Sequence, residues 1–185
     1  MKRIILTSIC VLGLFAAKGQ SAAPIRKGFS IGGSFGVGVL HFTKGAGDAE
    51  TGGDISLPNL KIGWLFNDRL GVYLNAPGQM YQQNSRDRSF EGLIPAVQYW
   101  PANKWWISGG MGLAMDMPAF YDVVDIGKEE FNFGKGVLIS TGYEVLQRRK
   151  WTIDLQGRLL MSSVNLEEGK REGTSLTLAL GFNFF

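Results

Sequence analysis

The sequence contains a single cysteine among its 185 residues, and that residue, Cys10, lies in an apolar stretch near the amino terminus. If this stretch is removed during export, the remaining chain has no thiol, which excludes disulfides and thiol chemistry. A single exported domain of about 160 residues must then be held together by backbone pairing and packing.

Long apolar runs are also missing after residue 23, where none approaches the ~20 residues that a transmembrane helix needs. The first 23 residues differ, because Lys2 and Arg3 precede an apolar run at 4–17 that is followed by small residues. This order is typical of a secretory signal peptide, whose apolar part is too short to span a membrane. We therefore expect a cleaved leader at 1–23 and one domain at 24–185, with a retained anchor as the alternative.

A basic surface is the third missing feature. The whole chain has 19 Lys and Arg residues against 16 Asp and Glu residues. Since Lys2, Arg3 and Lys18 would leave with the leader, the mature chain has equal numbers of basic and acidic residues. This balance predicts no nucleic-acid partner.

What is present is strict alternation, and it is clearest at the end of the chain. In the stretch from Gly173 to Phe185, leucine and phenylalanine occupy every second position from Leu176 to Phe184, and small or polar residues lie between them. Successive side chains of a strand point to opposite faces, so one face of this strand is apolar and the other is not.

Eight segments show this alternation, at about 29–42, 56–66, 70–81, 89–100, 105–115, 131–146, 151–163 and 173–185. The connections between them alternate between long and short, which is the pattern of transmembrane barrels. We expect an all-β, eight-stranded antiparallel up-and-down transmembrane β-barrel, with its termini and short turns in the periplasm and four longer loops outside. Pro58, Pro77 and Pro95 fall inside three strands, where each removes a ladder donor, so bulges are expected there.

The inward phase predicts a polar lumen. An eight-stranded barrel is just wide enough to be filled by its own side chains, so we expect no open pore. Lys61, Glu144, Asp154 and Arg158 fall on this phase, and buried charges are costly unless paired, so we expect Lys61 and Arg158 to bind the two carboxylates. Structural filling is the favoured role of this network, and a path for small ions is the alternative.

Aromatic residues cluster beside the short turns, including all five tryptophans of the chain. Rings that carry a polar atom favour the membrane–water boundary. We predict an interfacial aromatic belt that contains Trp64, Tyr99, Trp105, Tyr143 and Trp151. Trp100 and Trp106 lie beside the same turns and are interpreted in the same way.

With its leader, alternating strands, short inner turns and terminal aromatic strand, the chain resembles the small eight-stranded outer-membrane β-barrel family (OmpA/OmpX-like) of Gram-negative bacteria. The resemblance implies an outer-membrane location among outer-membrane lipids, no cofactor, and recognition of Phe185 by the barrel-assembly machinery. One departure is that the apolar phase contains Phe184, whereas Phe185 shares its phase with Asn183.

Function is open between three hypotheses. The first is a non-enzymatic barrel with a structural or surface-interaction role, which binds an extracellular ligand through its loops. The second is an outer-membrane enzyme that modifies lipid, for which the lone histidine, His41, lacks a serine and an acid at a local spacing. The third is a soluble lipocalin-like barrel with an apolar ligand inside. We expect no catalytic residue, metal or cofactor.

Overall fold

The computed structural model describes residues 23–45, 52–122, 130–167 and 169–185. Each strand pairs antiparallel with the next one in sequence, and the last pairs with the first, so the sheet closes into a barrel. The strands are β1 Gly28–Lys44, β2 Gly52–Asn67, β3 Leu70–Gln83, β4 Arg86–Ala102, β5 Trp105–Pro118, β6 Asn132–Gln147, β7 Trp151–Leu166 and β8 Gly169–Phe184. The predicted fold is confirmed. The proposed leader and Cys10 lie outside the described residues, so the leader stays a prediction.

One short 3₁₀ helix, Phe120–Asp122, follows β5. In the part of the chain that the structure describes, no helix has the length and apolar character needed to cross a membrane.

The apolar side of every strand faces outward. On β8, Leu178 is 67% exposed, whereas its neighbours Thr177 and Ala179 are buried. The same alternation runs round the barrel, and it produces a continuous band of exposed aliphatic and aromatic side chains, which we call the apolar band. A band of this kind is the surface that hydrocarbon covers in a transmembrane barrel.

The barrel has two different ends. Residues 68–69, 103–104 and 148–150 make the connections at the short-turn end. The described segment before β1 and the residue Phe185 lie there as well, because the Ile25 N–H donates to the Arg149 carbonyl at 3.0 Å and the Phe185 N–H to the Lys150 carbonyl at 2.8 Å. The opposite end, the loop end, carries the other four connections.

The expectation of four longer loops at that end is wrong for two of them. The predicted loops at about 82–88 and 165–172 are instead two-residue connections between strands that extend further than their apolar pattern. Asn84 and Ser85 join β3 to β4 with positive φ values of 53° and 61°. These values fit a type I′ turn, whose twist matches that of the flanking strands.

The bulge prediction holds for two of the three prolines. The β2–β3 register shifts between Leu57 and Leu60, at Pro58, with Pro77 opposite. The prediction is wrong for Pro95, because Leu74 still pairs with it and the β4–β5 register is the same on both sides of it. A proline removes only one donor, so the ladder can continue without an inserted residue.

Candidate functional site

The short-turn end of the lumen is closed by a packed aromatic cluster of Leu65, Tyr73, Trp100 and Trp106, with Phe185 against it. Trp100 and Trp106 are each only 2% exposed. The interpretation of these two tryptophans as part of the belt is therefore wrong. They occupy the inward phase of β4 and β5 and plug the barrel.

An ion pair lies within this plug. Arg26, on the segment before β1, donates to Glu144 Oε2 at 2.7 Å, and both side chains are almost fully buried. Glu144 also accepts hydrogen bonds from Trp100 Nε1 at 2.9 Å and from Gln147 Nε2 at 2.8 Å. The guanidinium lies 5.0 Å from the centre of the Trp100 ring and also donates to the Asn103 carbonyl at 2.7 Å. Arg26 is therefore buried in the plug, although it lies outside the alternating segments of the sequence.

Above the plug, the centre of the lumen holds the other three predicted interior charges. Asp154 accepts hydrogen bonds from Trp106 Nε1 at 2.8 Å, Gln156 Nε2 at 2.7 Å and Asn183 Nδ2 at 2.9 Å. All four predicted lumen residues are buried, but the expected pairing is wrong. Glu144 pairs with Arg26, and neither Lys61 nor Arg158 has a carboxylate within ion-pair distance among the described residues.

The two central cations contact neutral groups instead. Lys61 Nζ donates to Gln98 Oε1 at 3.2 Å and lies 4.8 Å from the centre of the Trp106 ring. Arg158 donates to Ser34 Oγ at 3.1 Å and to Ser56 Oγ at 3.5 Å. Cation–π contacts and hydroxyl groups thus replace the expected ion pairs.

Towards the loop end, apolar side chains cross the lumen. Ile94, Leu138 and Leu160 form one buried group. Nearer the mouth, a larger group consists of Leu40, Phe42, Tyr81, Phe90, Ala114 and Val164. The described interior therefore alternates between polar and apolar layers, and apolar packing limits any path along its axis.

Sequence reasoning missed a charged cluster at the mouth. Asp116 is fully buried and accepts hydrogen bonds from Tyr81 Oη at 2.7 Å and from Arg88 Nε at 3.0 Å, and it forms an ion pair with Arg171. Both Asp116 and Arg171 lie just outside the predicted segments 105–115 and 173–185, so the alternation assigns them to connections, whereas the structure has them on β5 and β8. Continuing the inward phase of β8 from Ser175 through Gly173 would have placed Arg171 inside.

This cluster lies beyond the apolar band, which ends on β4 at the outward-facing Glu91. Burial, and then the neighbouring Asp116 carboxylate, raise the pKa of the Tyr81 phenol. The phenol therefore stays protonated at neutral pH and remains a hydrogen-bond donor to Asp116.

A polar cleft of about 380 Å³ opens beside the cluster, and its lining includes Arg88, Glu130, Glu167, Lys170 and Arg171. Next to the β3–β4 tip, Phe120 is 96% exposed and Tyr121 donates to Asp87 Oδ2 at 2.8 Å. The loop end therefore presents an aromatic side chain together with charges of both signs.

The five predicted belt residues all lie on the outer wall at the short-turn end, with Trp64, Tyr99, Trp105 and Tyr143 exposed and Trp151 half-buried. Trp105 Nε1 donates to Thr141 Oγ1 at 2.8 Å, and the Trp151 ring stacks on Phe182 with centroids 5.6 Å apart. The hydroxyl groups of Tyr99 and Tyr143 make no hydrogen bond to another described residue. Both hydroxyl groups therefore face the surroundings of the barrel.

His41 is exposed on the outer wall near the loop end, opposite Thr174. No hydrogen bond or ion pair joins its side chain to another residue in the described part of the chain. The structure therefore does not bring a serine and a carboxylate to it. Phe185 is half-buried at the short-turn end, on the inward side, as its phase predicts.

No protein-family model matches the sequence, and no curated protein does. Among solved structures, Neisserial surface protein A (NspA) is 17% identical over 84% of this chain and 96% of its own, with a TM-score of 0.57. Ail, the attachment invasion locus protein of Yersinia pestis, is 14% identical over 85% and 99%, with a TM-score of 0.51. The outer membrane protein OprG from Pseudomonas aeruginosa is 14% identical over 89% and 99%, with a TM-score of 0.50.

These likenesses cover nearly the full length of each solved chain. At this level of identity they show the fold, which is the eight-stranded barrel of outer-membrane proteins. The predicted resemblance is confirmed for the fold, and the predicted outer-membrane location agrees with it.

Proposed function

We propose that the chain is a non-enzymatic integral outer-membrane protein that binds an extracellular partner through its loop end. The observation that carries this proposal is the contrast between the interior and the loop end. The described interior is filled at the short-turn end by the tryptophan plug and further up by apolar layers. The loop end, in contrast, offers an exposed ring and an open cleft.

The direction of the side chains argues against the lipocalin-like alternative. A barrel that binds an apolar ligand inside needs an apolar lining, whereas here Leu60, Met111 and Leu178 are among the most exposed side chains of the wall. The inner wall carries serine, asparagine and charged side chains. Outer-membrane lipid is therefore the proposed surrounding of the band.

Support for a surface role comes from the shape of the loop end and from the fold. Phe120 and Tyr121 project beside a cleft with both signs of charge, and aromatic rings surrounded by polar groups are common in binding surfaces. Ail, which has this fold, is named an attachment invasion locus protein, and this name supports the proposal of a surface role.

The location is tested by cell fractionation and by gel mobility with and without heating. We expect the chain in the detergent-extracted outer-membrane fraction, with faster migration before heating than after. A mature chain that stays in solution without detergent contradicts the proposal.

The surface role is tested with cells that display the full chain, applied to arrays of extracellular-matrix proteins and glycans. We expect binding that is reduced at least severalfold by Phe120→Ser and unchanged by Phe66→Ser, a matched change of an exposed ring at the short-turn end. Equal binding by displaying and non-displaying cells would exclude this role for the probes on the array.

We also propose that the barrel-assembly machinery reads the end of β8, with Phe185 as the terminal aromatic signal. Phe185→Ala should then lower the amount of folded barrel in cells more than it lowers refolding yield in detergent. Equal losses in both settings would instead assign Phe185 only to packing on the tryptophan plug.

A further inference from the structure

Two arginines at the mouth of the barrel are held in place by one buried carboxylate. Asp116 accepts from Arg88 Nε at 3.0 Å and forms a second ion pair with Arg171. Backbone carbonyls fix the two guanidinium groups further. Arg171 Nε donates to the Gly45 carbonyl at 2.9 Å, and Arg88 Nη2 donates to the Glu130 carbonyl at 3.2 Å. Both guanidinium groups are therefore set in position before any ligand arrives.

One terminal nitrogen of each guanidinium group remains unused. Arg88 Nη1 and Arg171 Nη2 make no hydrogen bond to a described residue, and neither is sealed off from solvent. Arg171 is only 4% exposed, and both arginines line the polar cleft of about 380 Å³ at the mouth. One carboxylate against two guanidinium groups gives this fixed part of the cleft a net charge of +1. Unused N–H groups on fixed arginines are donors suited to an oxyanion such as a carboxylate.

The rim of the same cleft carries the opposite charge. Glu130, Glu167 and Lys170 line it, and all three side chains are exposed. Two carboxylates against one ammonium group give the rim a net charge of −1. A ligand with many negative charges would be attracted by the arginines but repelled by the rim, since like charges placed together suppress binding. The cleft therefore favours a ligand that brings one anionic group to the arginines and a cationic group to the rim.

The shape of the cleft suits an extended polar ligand. Among the described residues that line it, only Leu166 has an apolar side chain. A second polar cavity of about 220 Å³ shares Gln83, Arg88 and Glu130 with it and continues towards the β3–β4 turn. The larger cavity lies within the range of ~300–1,000 Å³ that is usual for small-ligand sites. The smaller one leaves room for the ligand to continue. A peptide meets these conditions, because neighbouring side chains of a peptide can carry opposite charges.

We infer that the cleft at the mouth binds a peptide segment of mixed charge. An acidic side chain of the segment accepts from Arg88 Nη1 and Arg171 Nη2, and a neighbouring basic side chain contacts the rim carboxylates. The inference rests on the proposed surface role, because it specifies the chemistry of the extracellular partner.

The first test needs no variant. The full mature barrel in lipid nanodiscs is titrated into short fluorescent peptides that are blocked at both ends, and anisotropy is followed at constant ionic strength. We expect a peptide of alternating glutamate and lysine to bind at least severalfold more tightly than peptides of glutamate, lysine or glutamine alone. Equal or tighter binding of the all-glutamate or the all-lysine peptide would overturn the inference. Tighter binding of polygalacturonate, an acidic polysaccharide, would also overturn it and would assign the cleft to glycans.

The second test uses variants whose folding is checked by heat-modifiable gel mobility. Arg88→Gln leaves Asp116 paired with Arg171, and it should weaken binding of the alternating peptide at least severalfold. Glu167→Gln should instead strengthen binding of the all-glutamate peptide, because it removes a rim carboxylate. Arg69→Gln, which changes an exposed arginine of a short turn, is the matched control and should leave both affinities unchanged. Equal effects of the Arg88 and Arg69 changes would overturn the inference.

Cells that display the chain separate this inference from the surface role. If such cells bind a probe on the array and Arg88→Gln leaves that binding unchanged, the surface role stands and the mixed-charge site is wrong. If they bind no probe while the barrel in nanodiscs prefers the alternating peptide, the site stands and the surface role fails for the probes on the array.

Discussion

Glu144 lies where an unpaired carboxylate would be strongly unfavourable. Two neutral donors and one guanidinium surround it, and the guanidinium belongs to a segment that precedes the first strand. Removing one partner of a buried ion pair usually costs more than the pair itself contributes, since the other charge is left buried. Arg26 therefore attaches the amino-terminal segment to the plug.

Arg26→Ala should destabilise the barrel by about 3 kcal/mol, because Glu144 would stay buried after losing its cation. Urea unfolding in detergent measures this loss. Lys27→Ala, an exposed neighbour on the same segment, should change stability by less than about 0.5 kcal/mol. Equal effects of the two changes would mean that the Arg26–Glu144 pair contributes nothing measurable.

A second residue-scale prediction concerns Gly142 on the inward face of β6. A Cβ at this position would overlap the buried indole ring of Trp106. Overpacking of this kind costs roughly 1–3 kcal/mol, so Gly142→Ala should lower the urea midpoint. At Gly109, on the outward face, the nearest atom to an added Cβ is 3.8 Å away. Gly109→Ala should therefore leave stability unchanged or raise it, and a loss equal to that of Gly142→Ala would argue against overpacking.

For single residues, the sequence predicts whether a side chain points into the lumen, but it does not predict which residue that side chain binds. Alternation placed Lys61, Glu144, Asp154 and Arg158 inside, and the structure agrees. It could not show that Glu144 binds Arg26, because Arg26 lies outside every alternating segment and is 118 positions away. Strand phase determines whether a side chain points into the lumen or outward. Its hydrogen-bond partners depend on which strands face each other across the lumen.

At the scale of the element, the ends of the strands are harder to predict from the sequence than the presence of the strands. Within the apolar band, every second side chain must be apolar, so the pattern is strong. Beyond the band the outward face is polar, and the ends of β3, β4, β7 and β8 that continue there carry few apolar residues, with Val164 and Leu166 of β7 as exceptions. The segments at about 82–88 and 165–172 therefore had the composition of loops although most of their residues pair in the sheet.

The β3–β4 turn allows a test of this extension. Ser85 has a φ of 61°, and a left-handed conformation costs an ordinary residue about 1 kcal/mol that glycine avoids. Ser85→Gly should stabilise the barrel by up to about 1 kcal/mol in urea unfolding. Ser163→Gly, in the extended interior of β7, should instead destabilise it by about 0.5–1 kcal/mol. A loss of stability in Ser85→Gly would argue against the tight turn.

At the scale of the whole molecule, the barrel is organised with its apolar surface outside and its charges inside. The exterior is the part that the sequence predicts best, because eight strands repeat one rule. The interior follows no repeat: tryptophans, ion pairs, hydroxyl groups and aliphatic side chains succeed one another along the axis. Aromatic rings occur on both the inner and the outer wall near the short turns, so their position along the sequence did not show that Trp100 and Trp106 lie inside.

The apolar band allows the most general test, because the free-energy cost of a charge on the outward face depends on its depth in the bilayer. Leu180 lies at the middle of the outward face of β8, between Phe35 and Leu155, whereas Thr174 lies on the same face near the loop end. Leu180→Lys should cost about 2–4 kcal/mol in phospholipid vesicles, and Thr174→Lys about 0–1 kcal/mol. Urea unfolding of barrels refolded into vesicles measures both.

The same pair of variants in detergent separates the effect of the bilayer from that of the wall. A micelle deforms around a charged side chain more readily than a bilayer does, so the difference between the two variants should shrink there. If the two lysines are equally costly in vesicles, the outward leucines do not lie in a hydrocarbon layer, and the membrane assignment of the barrel fails with them.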